Sequence, residues 1–286
     1  MKKKARRQRI IFIGSIVLAI TALIVLMLVL GKSEKVEISE IQEPALVTEN
    51  EIPTEIEIPK PKTFQYIEIV NACDWTGVGA CVNMRSGPGI QHEVVERLRN
   101  GVVLEVGESV EVDGLIWYKV LFSSWLRYPE RVEGDLYVAG TDSVELFTDI
   151  GDQNAGRQNT SSTKRIVVDI SEQMLYAYDG DTIFMQEVVS TGLEATPTPQ
   201  GKFFVFRKTP SRYMQGPIPG VSDQEYDLPG VPWDLYFTAG GAVIHGAYWH
   251  DNYGQVWSHG CVNMSVDKAR KLYEWADLGI PVVVQN

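Results

Sequence analysis

Residues 242–263 read AVIHGAYWHDNYGQVWSHGCVN, and this stretch decides how the second half of the chain is expected to fold and react. Ala242 to Gly246 is an apolar run that contains a histidine, which is typical of a buried strand. Ser258 to Asn263 is a tight glycine turn that ends by delivering a cysteine. Three of the four histidines and one of the three cysteines of the chain therefore lie close together in sequence.

These residue types predict acyl transfer. A free cysteine has a pKa near 8.5, so only a few per cent is thiolate at neutral pH. A neighbouring imidazole can take the proton and hold a thiolate–imidazolium pair, while backbone N–H groups in a glycine turn can face a developing oxyanion. Two alternatives stay open: a structural cysteine beside packing histidines, and a zinc site, for which His-x-Cys is an unusual spacing. That zinc site would use His245, His250, His259 and Cys261.

The sequence around this stretch predicts a mainly β domain over residues 164–286. Strands are expected at 165–170, 174–178 and 183–189, followed by a rigid Pro/Gly turn and a further strand. One prominent helix is expected late in the domain. Ser265 can cap it, Gly279 and Pro281 stop it, and its apolar face is Ala269, Leu272, Tyr273 and Ala276.

Combined motifs give this region a specific resemblance. His245, twelve residues and then Ser-His-Gly-Cys-Val-Asn resemble the signature of the L,D-transpeptidase catalytic (YkuD-like) family. Residues 189–192 (VSTG) and 196–203 (TPTPQGKF) match earlier strands of that family. The resemblance implies that Cys261 is the nucleophile, that His245 is the general base, and that the carbonyl of Gly246 completes the triad.

The resemblance also implies roles for neighbouring residues. The backbone N–H groups of His259, Gly260 and Cys261 would line an oxyanion hole. Asn263 would support the turn, and substrate contacts are expected from Tyr226, Trp233, Met214, Trp249, Asn263 and Ser258. Each aromatic or apolar member of that set has core packing as its alternative.

Residues 64–148 predict a smaller domain. Short apolar runs recur about every ten residues between turn signals, which favours a small β-barrel. Val82 to Gly89 and the later Trp117-Tyr118 resemble bacterial SH3-like domains that accompany cell-wall enzymes. Binding of wall peptides and a spacer role both remain open. Ser123 to Glu133 departs from that pattern and is expected to be an inserted loop.

Two cysteines belong to this smaller domain. Cys73 and Cys81 are eight positions apart and, outside the cell, can form a disulfide. Two buried thiols are the alternative.

The N-terminal residues predict a membrane anchor. Residues 1–9 carry six of the 26 basic side chains, and residues 10–30 contain no charge. Twenty-one apolar residues are long enough to cross a bilayer, and basic flanks stay in the cytoplasm. We therefore expect a single-pass cell-membrane protein with its catalytic domain on the wall side. A cleaved signal peptide is the alternative.

Linkers are expected at residues 31–63, which are acidic and contain proline, and at 149–163. The net charge of −11 argues against a nucleic-acid partner. The expected function is peptidoglycan L,D-transpeptidation through a cysteine thioester, with stem peptides as donor and acceptor and no cofactor or metal. An L,D-carboxypeptidase and a non-catalytic wall-binding scaffold are the alternatives.

Overall fold

The first folded region is a single antiparallel sheet. The computed structural model describes residues 61–122, 126–154 and 162–286. Within residues 61–149 seven strands pair in the order β3-β2-β6-β5-β4-β1-β7. They are β1 (Phe64–Ile69), β2 (Val82–Arg85), β3 (Val94–Leu98), β4 (Val103–Val112), β5 (Leu115–Leu121), β6 (Tyr137–Ala139) and β7 (Val144–Asp149).

Cys73 and Cys81 form a disulfide in the loop between β1 and β2, which decides between the two alternatives that the sequence left open. The expected inserted loop lies between β5 and β6. Its described part contains one 3-10 turn, Pro129–Arg131. Residues 123–125 of that loop lie outside the described residues.

The second region contains two five-stranded sheets and one helix. The sheet orders are β11-β10-β9-β17-β12 and β16-β15-β14-β13-β8. The elements are β8 (Gln153–Asn154), β9 (Lys164–Asp169), β10 (Met174–Asp179), β11 (Thr182–Val188), β12 (Gly201–Phe204), β13 (Arg207–Ile218), β14 (Ser222–Tyr236), β15 (Val243–Gly246), β16 (Val262–Met264), α1 (Val266–Trp275) and β17 (Pro281–Gln285). Over the described residues, the prediction of a mainly β fold with one late helix is confirmed.

The late helix α1 has the expected apolar face, with Ala269, Leu272 and Tyr273 buried. Ser265 stands at the N-cap, but its hydroxyl donates to Asp267 Oδ1 at 2.7 Å instead of accepting from the first helical amides. At the other end, the buried ammonium of Lys208 donates to the carbonyls of Tyr273 and Ala276, both at 2.7 Å. Lys208 therefore satisfies carbonyls that the end of a helix leaves unpaired.

The two regions share apolar cores. One cluster joins Tyr66 and Val103 of the first sheet to the second region, and another joins Met214 and Tyr248 to the first. Trp233 lies at this interface, 2% exposed, with its ring centroid 5.6 Å from that of Phe147. The predicted linker of residues 149–163 includes β8, which pairs with β13, whereas residues 155–161 lie outside the described residues.

No helix in the described part of the chain is both long and apolar enough to cross a membrane. The basic segment (1–9), the predicted membrane helix (10–30) and the linker up to residue 60 lie outside the described residues. The anchor therefore stays a prediction.

Candidate active site

His245 occupies the third position of β15, a strand whose four residues are all buried. Its side chain is 1% exposed, and its Nδ1 lies 3.0 Å from the carbonyl oxygen of Gly246. Burial lowers the pKa of His245 to about 3, although the bond to Gly246 acts in the opposite direction. The imidazole is therefore neutral near pH 7, with Nδ1 as the donor and Nε2 as a free base.

Cys261 immediately precedes β16, which runs parallel to β15. The register pairs Ile244 with Val262 and His245 with Asn263, so the cysteine stands at the N-terminal end of the histidine strand. Its Sγ lies 3.9 Å from the carbonyl oxygen of Gly241. Burial raises the pKa of the Cys261 thiol, while the charge of Arg212 lowers it. The thiol is therefore protonated at rest.

The turn before Cys261 is held by bonds within itself. Gly260 has a φ of +110°, which glycine adopts readily and other residues rarely do. Ser258 Oγ accepts the Gly260 N–H at 3.1 Å and donates to the Cys261 carbonyl. Ser258 is 6% exposed, so it shapes the turn and does not face a substrate in this conformation. The amide of Gly260, expected in the oxyanion hole, is already bonded to that serine.

The two earlier motifs pack directly against this turn. The carbonyl of Thr191 accepts from the amides of Trp257 at 2.8 Å and Ser258 at 3.0 Å. Gly192 donates its N–H to Thr198 Oγ1 at 2.8 Å, and a Cβ on Gly192 would collide with the backbone of Thr196 and Thr198. Glycine is therefore required there by close approach. These contacts explain why sequence segments some 60 residues apart belong to one site.

His250 and Asn263 form a buried pair beside the catalytic strands. His250 Nδ1 accepts the N–H of Asn252 at 3.1 Å, and the Asn263 amide lies 2.8 Å from His250 Nε2. A neutral imidazole carries one N–H, which here lies on Nε2 and faces Asn263 Nδ2. Turning the amide over lets its oxygen, which otherwise has no partner, accept this N–H. Asn263 is 3% exposed and therefore supports the turn; the expected substrate contact is not available to it in this conformation.

Tyr226 and His259 form one side of the region around Cys261. Their ring centroids are 6.3 Å apart and their planes differ by 28°. Burial raises the pKa of Tyr226, and a charge on Cys261 acts in the same direction, which places these groups within electrostatic reach of each other. Tyr226 is half-buried and packs against the apolar cluster shared with the first region.

The remaining predicted substrate contacts all pack in apolar clusters. Trp249 is partly buried against the cluster shared with the first region, and its ring centroid lies 5.7 Å from that of His245. Met214 is 8% exposed and packs in the apolar cluster shared with the first region. Trp233 is buried against Phe147 and, at 5.4 Å between ring centroids, against Tyr273. Met214 and Trp233 therefore pack in the core, which was the alternative to substrate contact.

Arg212 and Asp234 were missed by sequence reasoning. Asp234 is fully buried, neither carboxylate oxygen has a hydrogen-bond partner among the described residues, and burial raises its pKa to about 8. Burial also opposes the charge of Arg212, but Tyr236, Asp234 and Cys261 raise its pKa overall. The guanidinium carbon lies 5.4 Å from the Tyr236 ring centroid. No motif marks either residue.

Across the described residues, no group of three or more His, Cys, Asp or Glu side chains is placed to hold a metal ion. The three histidines of the alternative zinc site each contact another group. His245 bonds Gly246, His250 bonds Asn252 and Asn263, and His259 stacks on Tyr226.

Two family models match the chain. Residues 163–284 match the L,D-transpeptidase catalytic domain, and residues 80–138 match the bacterial SH3 domain. A curated relative, the probable L,D-transpeptidase 3 of Mycobacterium tuberculosis, is 32% identical over 105 residues. That match covers 34% of this chain and 37% of the relative, so the chain spans little more than a third of that protein's length.

Solved structures give weaker similarities. A mutant L,D-transpeptidase from Enterococcus faecium is 26% identical, with a TM-score of 0.39 over 43% of this chain and 49% of the other. An L,D-transpeptidase from Mycobacterium smegmatis is 21% identical, with a TM-score of 0.42 over 63% of this chain and 93% of the other.

Proposed function

We propose that this protein crosslinks peptidoglycan stem peptides, on the premise that residues 163–284, which match the L,D-transpeptidase catalytic domain model, act as such a domain. The observation that carries the proposal is the parallel pairing of β15 with β16. It brings the cysteine turn to the strand of His245, whose Nδ1 is fixed on the carbonyl of Gly246. Nucleophile, base and orienting acceptor are the parts that covalent acyl transfer requires.

The first half-reaction forms a thioester. Cys261 attacks the carbonyl between the third residue of a stem tetrapeptide, a diamino acid, and its terminal D-Ala. Because the thiol is protonated and His245 is neutral, Nε2 takes the thiol proton as the S–C bond forms. This replaces the expected resting thiolate–imidazolium pair with proton transfer during attack. The C–N bond then breaks, and the imidazolium gives its proton to the departing D-Ala amine.

The second half-reaction forms the crosslink. The side-chain amine of a second stem attacks the thioester carbonyl and gives a proton to His245. The S–C bond breaks, and the imidazolium returns the proton to Cys261 as the 3→3 peptide bond is completed. Water in place of the amine would make the protein an L,D-carboxypeptidase. In both half-reactions the amides of His259 and Cys261 are the proposed oxyanion donors, since the amide of Gly260 serves Ser258.

The proposed location is the cell membrane, with residues 10–30 as a single anchor, the N-terminus in the cytoplasm and the catalytic domain facing the wall. Mass spectrometry of the mature chain tests this proposal. An intact N-terminus supports the anchor, whereas a chain that starts near residue 32 contradicts it.

The decisive experiment incubates the full chain with disaccharide tetrapeptide and identifies the products by mass spectrometry. We expect released D-Ala and a crosslinked dimer, with none of either from Cys261→Ala. The matched control is the double variant Cys73→Ala/Cys81→Ala, which removes the other two sulfurs and keeps activity. Tripeptide without dimer would identify the carboxypeptidase. Release of D-Ala by Cys261→Ala would refute the mechanism, and no acylation of the wild-type chain would favour the scaffold.

A further inference from the structure

The inserted loop between β5 and β6 reaches the hairpin formed by β13 and β14. Tyr128 makes three hydrogen bonds there. Its N–H donates to Gln215 Oε1 at 2.8 Å, its carbonyl accepts from Gln215 Nε2 at 3.1 Å, and its hydroxyl donates to the carbonyl of Pro217 at 2.8 Å. A loop of the first region therefore binds the tip of a hairpin nearly 90 residues away in sequence.

Arg131 reinforces the same contact. Its Nη1 donates to the carbonyl of Gly216 at 2.7 Å and forms an ion pair with Asp227 at 3.0 Å. Gln215 Nε2 also donates to Asp227 at 2.8 Å, so both strands of the hairpin are tied to the loop. The guanidinium carbon lies 4.2 Å from the Tyr128 ring centroid, which keeps the two loop side chains together.

The held part of the hairpin leads directly to the proposed nucleophile. Gly216 pairs with Tyr226, and a Cβ on Gly216 would collide with the Tyr226 ring. That ring stacks on His259, which lies two residues before Cys261 and contributes a proposed oxyanion amide. Each step from Arg131 through Gly216 and Tyr226 to His259 is a direct contact, so movement of the hairpin would move the side of the cleft.

The loop and the hairpin also share an apolar contact. Val132 of the loop and Met214 and Tyr226 of the hairpin pack in one cluster, to which neither Tyr128 nor Arg131 belongs. Apolar packing is non-directional, whereas hydrogen bonds fix distance and angle. The hydrogen bonds at the hairpin tip therefore fix the position of the tip, whereas apolar packing holds the two regions together.

We propose that Tyr128 and Arg131 are positioning residues that hold the β13–β14 hairpin, and with it Tyr226, against His259 beside the nucleophile. The loop of the SH3-like region thereby fixes one side of the proposed catalytic cleft. The inference rests on the proposed function for its kinetic consequence but not for the physical contact. Neither residue is assigned a contact with the substrate.

The test compares full-length wild type, Tyr128→Phe, Arg131→Gln and the double variant. Acylation of Cys261 by a carbapenem is followed by intact mass, and hydrogen exchange of residues 213–228 reports the hairpin. We expect the second-order rate constant for acylation of the double variant to be about 10- to 100-fold lower, since a displacement of about 1 Å can cost that much. Exchange in the hairpin should rise about tenfold, with little change in Tm.

Lys119→Gln is the matched control, because it removes a positive charge and the 2.7 Å ion pair with Asp135 in the same region without touching the hairpin. A double variant that acylates and exchanges as Lys119→Gln does would overturn the inference. If the double variant does not fold, Tyr128→Phe, which loses one hydroxyl, decides by the same two measurements. If the wild type is never acylated, the proposed function fails, and hydrogen exchange alone still tests the loop contact.

Discussion

The titration of His245 gives a prediction whose size follows from burial. An unfolded histidine has a pKa near 6.5, and burial lowers the pKa of His245 to about 3 in the folded chain. Between these values the unfolded state binds more protons than the folded state, so stability falls as the pH is lowered below 6.5. At pH 4.5, which is about two units below the unfolded pKa, this titration lowers the free energy of unfolding by roughly 2.7 kcal/mol relative to pH 7.5.

Replacement of His245 by Gln removes this titration. We expect urea unfolding, followed by tryptophan fluorescence, to show that the variant loses about 2.7 kcal/mol less between pH 7.5 and pH 4.5 than the wild type does. Gln173→Ala is the control, because it removes a buried side chain that does not titrate and bonds Thr191. Its free energy of unfolding should fall equally at both pH values. Equal pH dependence in wild type and His245→Gln would refute the claim that the buried imidazole is neutral.

Three further predictions concern catalysis, the contact between the two regions, and the disulfide. The rate of carbapenem acylation should change less than about twofold between pH 7 and pH 5, whereas a base of ordinary pKa 6.5 would lose about 25-fold. A loss of that size would contradict a neutral His245. Gly230→Ala should destabilise by at least about 2 kcal/mol in urea, because Gly230 has a φ of +67° and its Cβ would meet the carbonyl of Val103. Gly114→Ala, at +75° with open space around it, should cost only about 1 kcal/mol, and equal losses would contradict the contact with Val103. The double variant Cys73→Ala/Cys81→Ala should lose about 2–3 kcal/mol of stability, because the disulfide closes a short loop, and should keep its acylation rate. Unchanged stability would show that the disulfide contributes nothing.

Short-range patterns were read correctly from the sequence because their causes are local. The bonds of Ser258 to Gly260 and Cys261 span two and three residues, and Gly260 needs its left-handed backbone whatever surrounds it. The late helix follows from a 3.6-residue apolar period in the same way. The SH3-like and catalytic regions were recognised from such motifs, and both family models match.

The sequence predicted the positions of individual side chains less well. An aromatic residue gives the same sequence signal in a cleft and in a core, so Trp233 and Tyr226 could not be separated. Trp233 lies in the core with a φ of +63°, a conformation costly for a bulky residue and maintained by packing between the two regions. Asn263 and Ser258 were expected to contact substrate, yet both are buried and hydrogen-bonded around the turn.

By itself, the sequence determined the β-rich class, the two recognisable domains, the nucleophile turn and the candidate base, because these depend on residue types within a few positions of each other. Only the tertiary structure decided that Tyr226 stacks on His259, that partly buried Arg212 and buried Asp234 lie near Cys261, and that Tyr128 and Arg131 bond to the hairpin. Those contacts join residues from 27 to 89 positions apart, and residues so distant in sequence meet only when the sheets pack.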